Sequence, residues 1–224
     1  MATMASINCR CGTVSLGLNS STPKSAFDCC CVDCFAKNKW SCEAAGVPMP
    51  AAFQEYGKQP VHLAYFDNQL KVLKGRENLA FNKVREKTTT TNMIASCCKS
   101  ILCASSSTYK GQTLLVFPDF CPLVGADLQE PKARTHIKDF SDAAIAALPP
   151  KPGIWIELKK TPPFFEFKGD LAGAVPFMRA VGAPMKKDDA FRGESFEELL
   201  AAAGGKEKVV NLGMPQGGSN CKKE

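Results

Sequence analysis

Cys29-Cys30-Cys31-Val32-Asp33-Cys34 is the stretch on which the reading of this chain turns. On an extended segment residues i and i+2 project to one face, so the sulfurs of Cys29 and Cys31 point the same way. Cys34 returns to them across a two-residue turn, and three thiols converge. Thiolates that close repel one another unless a cation joins them, and zinc holds each sulfur at about 2.3 Å. A redox dithiol is the competing use, but it needs only one Cys-x-x-Cys pair. Cys30 must face away from its neighbours on such a segment, which suits packing better than ligation.

Working outward, Cys9-Arg10-Cys11-Gly12 has the same i, i+2 spacing near the N-terminus, and Cys97-Cys98 closes a β-branched run that begins at Thr88. Cys9 and Cys11 need partners from elsewhere, and Cys97 with Cys98 are the natural donors, giving a closed structural site. Around Cys29, Cys31 and Cys34 the count stops at three. Structural zinc normally has four protein ligands, whereas catalytic zinc has three and an open position. Neither His62 nor His136 lies at a spacing that completes the trio, although a distant His, Cys or Asp could do so in the fold. Cys42, Cys103 and Cys121 are isolated and expected to be small buried hydrophobes, and Cys221 a tail thiol. Asp33 is the nearest titratable group for acid–base work, with a backbone-bonding turn residue as its plainer role.

Composition narrows the setting. The chain has 224 residues, of which 45% are hydrophobic and 22% charged, ordinary values for a globular protein that exclude disorder over the whole length. No window is long and apolar enough to span a bilayer. The first residues, Met1 to Arg10, lack the basic start and apolar centre of a secretory signal, so a reducing, cytoplasmic setting is expected. Twelve cysteines are too many for such a setting unless they hold metal. The formal charge of +6 is spread over short pairs such as Lys159-Lys160, Lys186-Lys187 and Lys222-Lys223 rather than gathered into a stripe. That argues against a nucleic-acid partner.

The pattern predicts a mainly β domain with short helices. Val14, Leu16 and Leu18 alternate as in a half-buried strand. Val61 to Phe66 and Leu70 to Leu73 flank Asp67-Asn68, which predicts a hairpin. Thr88 to Ala95, Gln112 to Phe117 and Gly153 to Leu158 complete the strands. Ser141 is placed to cap a helix that stops before Pro149-Pro150. Ser195-Phe196-Glu197-Glu198 has the spacing of a capping box, with Gly204-Gly205 as the stop. A boundary is expected near residue 168, dividing a zinc-binding domain over 1–168 from a C-terminal extension over 169–224 that ends in a mobile tail from Asn211.

Cys-x-Cys-Gly, then Cys-x-Cys-x-x-Cys, then a cysteine-bearing strand end resemble the family of the glutathione-dependent formaldehyde-activating enzyme, which includes centromere protein V. Leu63-Ala64-Tyr65-Phe66, the Lys74-Gly75 turn, Ala133-Arg134-Thr135-His136-Ile137, Gly153-Ile154-Trp155-Ile156-Glu157 and Pro162 follow in the family's order, so the likeness covers roughly residues 7 to 167. The resemblance implies a zinc-bound β-tent with two Zn2+ sites. Cys29, Cys31 and Cys34 match its catalytic-type triplet, and Cys9 and Cys11 the first half of its structural site. In the second half the family often has Cys-x-x-Cys-Gly-Thr; here Cys98 matches the second cysteine, Ala95 replaces the first, and Cys97 is the candidate fourth sulfur. The implied activity is zinc-dependent carbon–sulfur bond cleavage or formation on a small thiol adduct of the glutathione type. A noncatalytic zinc-stabilised module that binds a protein or nucleic acid is the alternative.

Overall fold

β-Branched and aromatic runs form most of the chain's regular structure, because such side chains fill a pleated surface buried on both faces. The structure, a computed structural model, describes residues 4–158, 165–186 and 188–215. In chain order its elements are β1 (Ser6–Asn8), β2 (Ser15–Leu18), β3 (Ser25–Cys29), α1 (Val32–Ala44), β4 (Val61–Asp67), β5 (Leu70–Lys74), β6 (Leu79–Lys83), β7 (Thr90–Ala95), β8 (Ile101–Ser106), β9 (Thr113–Val116), β10 (Leu123–Val124), β11 (Arg134–Thr135), α2 (Asp142–Ala146), β12 (Gly153–Leu158), β13 (Phe165–Gly169), α3 (Leu171–Gly182), α4 (Phe196–Ala202) and β14 (Val210–Asn211). A small sheet has the order β10-β1-β2-β5 and a large one β13-β12-β11-β3-β4-β9-β8-β7-β6-β14. The protein is therefore mainly β.

β4 shows why both faces of the large sheet are apolar. Ala64 and Phe66 enter one core with Ile7, Leu16, Leu18 and Leu70 of the small sheet. Leu63 and Tyr65, on the opposite face, join Phe27, Phe117 and the α3 residues Ala174 and Phe177. Each fully buried Leu or Phe contributes about 1.5–3 kcal/mol. A one-residue slip would exchange the two cores, so the register is strongly specified.

The hairpin expected across Asp67-Asn68 does not form. β4 pairs with β3 and β9 in the large sheet, while β5 pairs with β2 in the small one, so these residues make a corner between sheets. Their side chains hold it: Asp67 pairs with Lys24 at 2.8 Å, and Asn68 donates to the carbonyl of Gly111 at 3.0 Å and accepts from the amide of Phe196 at 2.8 Å. β2 is buried on every residue rather than half-buried: Leu16 and Leu18 enter the core shared with the large sheet, and Met4 and Leu73 lie against Gly17 on the other face. β7, β9 and β12 lie where the sequence places them.

Ser141 caps α2, and the capping box at Ser195 and Glu198 is formed at the start of α4. Two further helices carry no clear sequence signal. α3 contains Gly173 and Pro176, and Gly173 is required by packing: a Cβ there would meet that of Ala133 at 2.9 Å. α1 buries Cys34, Lys37, Asn38, Ser41 and Cys42, a face too polar to read as an amphipathic stripe. In the C-terminal part α3 and α4 pack into the two cores, and Asn211, where the tail was expected to begin, pairs with Lys83. Lys159-Lys160, Pro162, Lys187 and everything after Pro215, Cys221 included, lie outside the described residues.

Candidate metal centres

The first centre is built by two turns. Cys9 and Cys11 lie between β1 and β2, and Cys97 and Cys98 between β7 and β8, so the four residues join the small sheet to the large one. Gly12 at φ +71 closes the first turn with its amide on the Cys9 carbonyl at 2.9 Å, a conformation glycine adopts without the penalty of a Cβ. The second turn is not strand. It begins after Ala95, with the Cys98 amide on the Ala95 carbonyl at 3.4 Å and Lys99 at φ +56, and off the strand adjacent Cys97 and Cys98 both turn toward Cys9 and Cys11.

The sulfurs are separated by 3.5 Å between Cys9 and Cys11, 3.9 Å between Cys9 and Cys97, and 3.4 Å between Cys11 and Cys97. Sulfurs about 2.3 Å from a tetrahedral ion would be about 3.8 Å apart, so the residues fit such a group. The amide of Val14 donates to Cys9 Sγ at 3.2 Å, an outer contact of the sort that orients metal ligands. Cys9 and Cys98 are at least partly covered, while Cys11 and Cys97 are exposed. The Thr13 hydroxyl and amide, with a smaller effect from Cys97, bring the Cys11 thiol down to about 6. Burial and then Cys11 push Cys97 up to about 12.

The second centre is assembled by parallel strands. β3 and β11 run side by side with Cys29 opposite Thr135, so the segments that follow emerge together. His136 thereby reaches Cys29, its Nδ1 lying 3.7 Å from Sγ. Cys29, Cys31 and His136 form a group whose ligand atoms all lie within 4.8 Å of one another. Nitrogen and sulfur ligands of one tetrahedral zinc would be about 3.6 Å apart, so this group also fits the ion. Cys34 is beside it and interacts with both Cys29 and Cys31. His136 adopts φ +59, a backbone form uncommon for residues with a Cβ.

The trio is carried by a helix start rather than a two-residue turn. Cys31 caps α1, its sulfur accepting from the Cys34 amide at 3.3 Å, and the Cys31 amide donates to Cys29 Sγ at 3.4 Å. The positive end of the helix favours negative charge at this place. Cys34 is held well below the usual thiol range by Cys29 and Cys31, with Lys37 adding to the effect. Cys31 is pushed well above it by Cys29, Cys34 and burial. Burial lowers the His136 imidazole, which keeps it in the neutral form that can accept a proton or ligate a metal.

Lys37, one turn beyond Cys34, is 3% exposed. Its Nζ donates to Asn92 Oδ1 at 3.2 Å and lies 4.3 Å from the centre of the Phe117 ring. A buried ammonium with neutral partners places a positive charge beside the cysteines, where thiolates would be stabilised. Tyr65 and Tyr109, packed edge to face at 6.0 Å, complete the surroundings. Asp33 is not free for acid–base work, since its carboxylate pairs with Arg85 at 2.5 Å.

Cys30 is buried, lies outside the metal-fitting groups and is raised to about 12 by burial. Cys42, Cys103 and Cys121 are buried singly, as expected. Sequence spacing missed His136, because a parallel strand pair supplies it from 107 residues away. Two surface cavities lie elsewhere, one of about 240 Å³ bounded by Arg10, Cys42 and Phe120 and one of about 300 Å³ bounded by Asp28, His62 and Arg134. Neither is lined by Cys29, Cys31, Cys34 or His136. Among the described residues no helix is long and apolar enough to cross a membrane. Compared with family models, curated proteins and solved structures, the chain matches none of them.

Proposed function

We propose that the chain is a zinc-dependent carbon–sulfur lyase with a β-tent fold, acting on a small thiol adduct of the glutathione type in the cytoplasm. The proposal keeps the resemblance to the glutathione-dependent formaldehyde-activating family. The observation that carries it is the placing of Cys29, Cys31 and Cys34 beside a neutral, half-buried imidazole and a buried ammonium. Cys9, Cys11, Cys97 and Cys98 would hold the structural zinc, and Cys29, Cys31 and Cys34 the catalytic one. Zinc bound by the trio would favour the substrate sulfur as thiolate and make it a better leaving group.

The rest is the work of the chain. In an adduct with a hydroxyl on the carbon next to sulfur, cleavage needs a base for the hydroxyl proton. As that proton leaves, the O–H electron pair becomes the carbonyl bond and the C–S pair departs with sulfur. His136 is the base, since burial keeps its imidazole neutral at Nδ1 or Nε2. Three thiolates on a divalent cation leave one net negative charge, and Lys37 offsets it.

A second reading has its own observation. With Nδ1 3.7 Å from Cys29 Sγ, His136 is close enough to serve as a fourth ligand, and a Cys3His zinc would be closed and noncatalytic. Metal analysis with a thiol-adduct cleavage assay on Cys34→Ala and His136→Ala separates the two. The lyase reading expects Cys34→Ala to lose the second zinc and at least about 100-fold in activity. Full metal and full activity in Cys34→Ala would end it. A two-zinc wild-type protein that is inactive on every adduct, and loses the second zinc in His136→Ala, would establish the closed module.

A further inference from the structure

Arg10 stands between two ligands of the first centre, yet its side chain leaves that centre and crosses to α1. Its Nη2 faces the Ser41 carbonyl at 2.7 Å, Ser41 Oγ at 3.0 Å and the Cys98 carbonyl at 3.0 Å. Its Nη1 donates to Cys42 Sγ at 3.5 Å. At the other end of the residue, the Arg10 amide donates to Ser100 Oγ at 3.0 Å, and that hydroxyl lies 3.2 Å from Cys98 Sγ. Ser41 Oγ in turn donates to the Lys99 carbonyl at 2.6 Å. One guanidinium thus joins three segments: the turn of Cys9 and Cys11, the turn of Cys97 and Cys98, and the second half of the helix whose first turn holds Cys34.

These contacts have a mechanical consequence. Ser41 is two helical turns beyond Cys34, about 10 Å along a rigid element. The turns bearing Cys9, Cys11, Cys97 and Cys98 take a fixed shape when their sulfurs share an ion, and that shape fixes where Ser41 can be. The planar fork of arginine suits this role, because several donors leave it in set directions; a lysine offers one rotating point charge. Arg10 Nε is buried with no partner among the described residues, so the head group is placed for its Nη contacts and not for its own full satisfaction.

We infer that Arg10 is a positioning residue through which metal in the first centre sets the place of α1, and hence the affinity of the second centre for its metal. The inference rests on the two-centre reading above and adds a regulatory link to it: loss or oxidation of the first centre lowers metal occupancy in the second. Coupling between binding sites is reciprocal, so metal in the second centre also tightens the first by the same factor.

The test uses the full-length chain loaded with zinc. Arg10→Ala should keep the first zinc but hold the second about tenfold more weakly at equilibrium with a competing chelator, a coupling within the usual range. Cys11→Ser with Cys97→Ser, read at a temperature where circular dichroism shows the variant folded, should cause a similar loss at the second centre when Arg10 is present, and no further loss in the Arg10→Ala background. Arg10→Lys should recover only part of the effect. Ser41→Ala, which leaves both ligand sets intact, should give a smaller loss in the same direction. Equal retention of the second zinc by wild type and Arg10→Ala, or an undiminished effect of the first centre without Arg10, would overturn the link.

Hydrogen exchange separates this from failure of the functional reading. A protein that never takes zinc at Cys29, Cys31 and Cys34 ends the lyase proposal. The amides of Asn38 to Ala44 still decide the link: about tenfold faster exchange in Arg10→Ala supports it, and unchanged exchange overturns it.

Discussion

The two cysteine centres differ in how the fold assembles them. The first is made of neighbours on two tight turns, with all four sulfurs within mutual reach and two of the residues exposed. The second draws on a strand end, a helix start and a parallel strand over a hundred residues away, and it is covered by aromatic rings and a buried ammonium. Four sulfurs joining two sheets suit a staple. A trio with two of its sulfurs buried, and with a neutral base and a positive charge nearby, suits chemistry. The contrast teaches that coordination number alone does not separate the roles; the charge and donors outside the ligand set do.

The largest effect should come from the staple. Structural zinc sites release about 10–16 kcal/mol on binding, as much as the whole stability of many domains. Cys9→Ser with Cys11→Ser should therefore abolish cooperative thermal unfolding, followed by circular dichroism, or lower its midpoint by more than about 15 °C. Cys34→Ala should leave the midpoint far closer to wild type. Equal losses would remove the distinction between staple and reaction centre.

The same contrast explains how much was legible in the sequence. Cys9, Cys11, Cys29, Cys31 and Cys34 reveal themselves because sulfur spacing is a local property. Cys97 and Cys98 were harder, since adjacent residues on a strand face opposite ways, and here the chain has left the strand for a turn before reaching them. His136 left no local signal, as its place follows from the register of β11 against β3. α1 was hidden by its composition: its inner face holds Lys37, Asn38 and Ser41, polar side chains that break the apolar stripe of an amphipathic helix. Asp67-Asn68 has the chemistry of a hairpin turn, but its side chains are spent on Lys24, Gly111 and Phe196, and the chain turns a corner instead. The caps at Ser141 and Ser195 were readable because a cap depends on residues within one turn.

Next in size is His136. If it is the base, His136→Ala lowers kcat about 100-fold while the second zinc stays in place, within the ordinary range for removing an acid–base group. Metal content per chain and kcat measured on one preparation check this. Loss of the zinc together with activity would move His136 into the ligand set.

Lys37 sharpens the comparison further, because it is a fully buried lysine, whereas Arg10 beside the first centre commits its guanidinium to Ser41, Cys42 and the Cys98 carbonyl. Lys37→Met keeps the stem and removes the charge. A methionine is at home in the interior, so the fold should hold, whereas the second centre should bind zinc about tenfold more weakly as its uncompensated charge rises. Competition with a chelator reads this, and at zinc concentrations that still fill the second centre the first should be unaffected. An equal change at both would assign Lys37 to packing alone.

The smallest effect lies at Cys11, and its sign follows from the direction of its shift. The Thr13 hydroxyl and amide lower its thiol to about 6, against an unfolded value near about 8.5. A depressed value in the fold means that the thiolate's contribution is present above the unfolded value and is lost as pH falls through about 6. In protein freed of zinc at a temperature where circular dichroism still shows the fold, alkylation of Cys11 by iodoacetamide should accordingly rise with pH to a plateau near pH 7. Cys97, raised to about 12, should still be slow there. Thr13→Val removes the hydroxyl and should move the Cys11 midpoint upward. Zinc should suppress the Cys11 reaction across the whole range, because the exposed sulfur is then committed to the ion. Alkylation at an undiminished rate with zinc bound would take Cys11 out of the first centre and leave that centre with too few sulfurs to act as a staple.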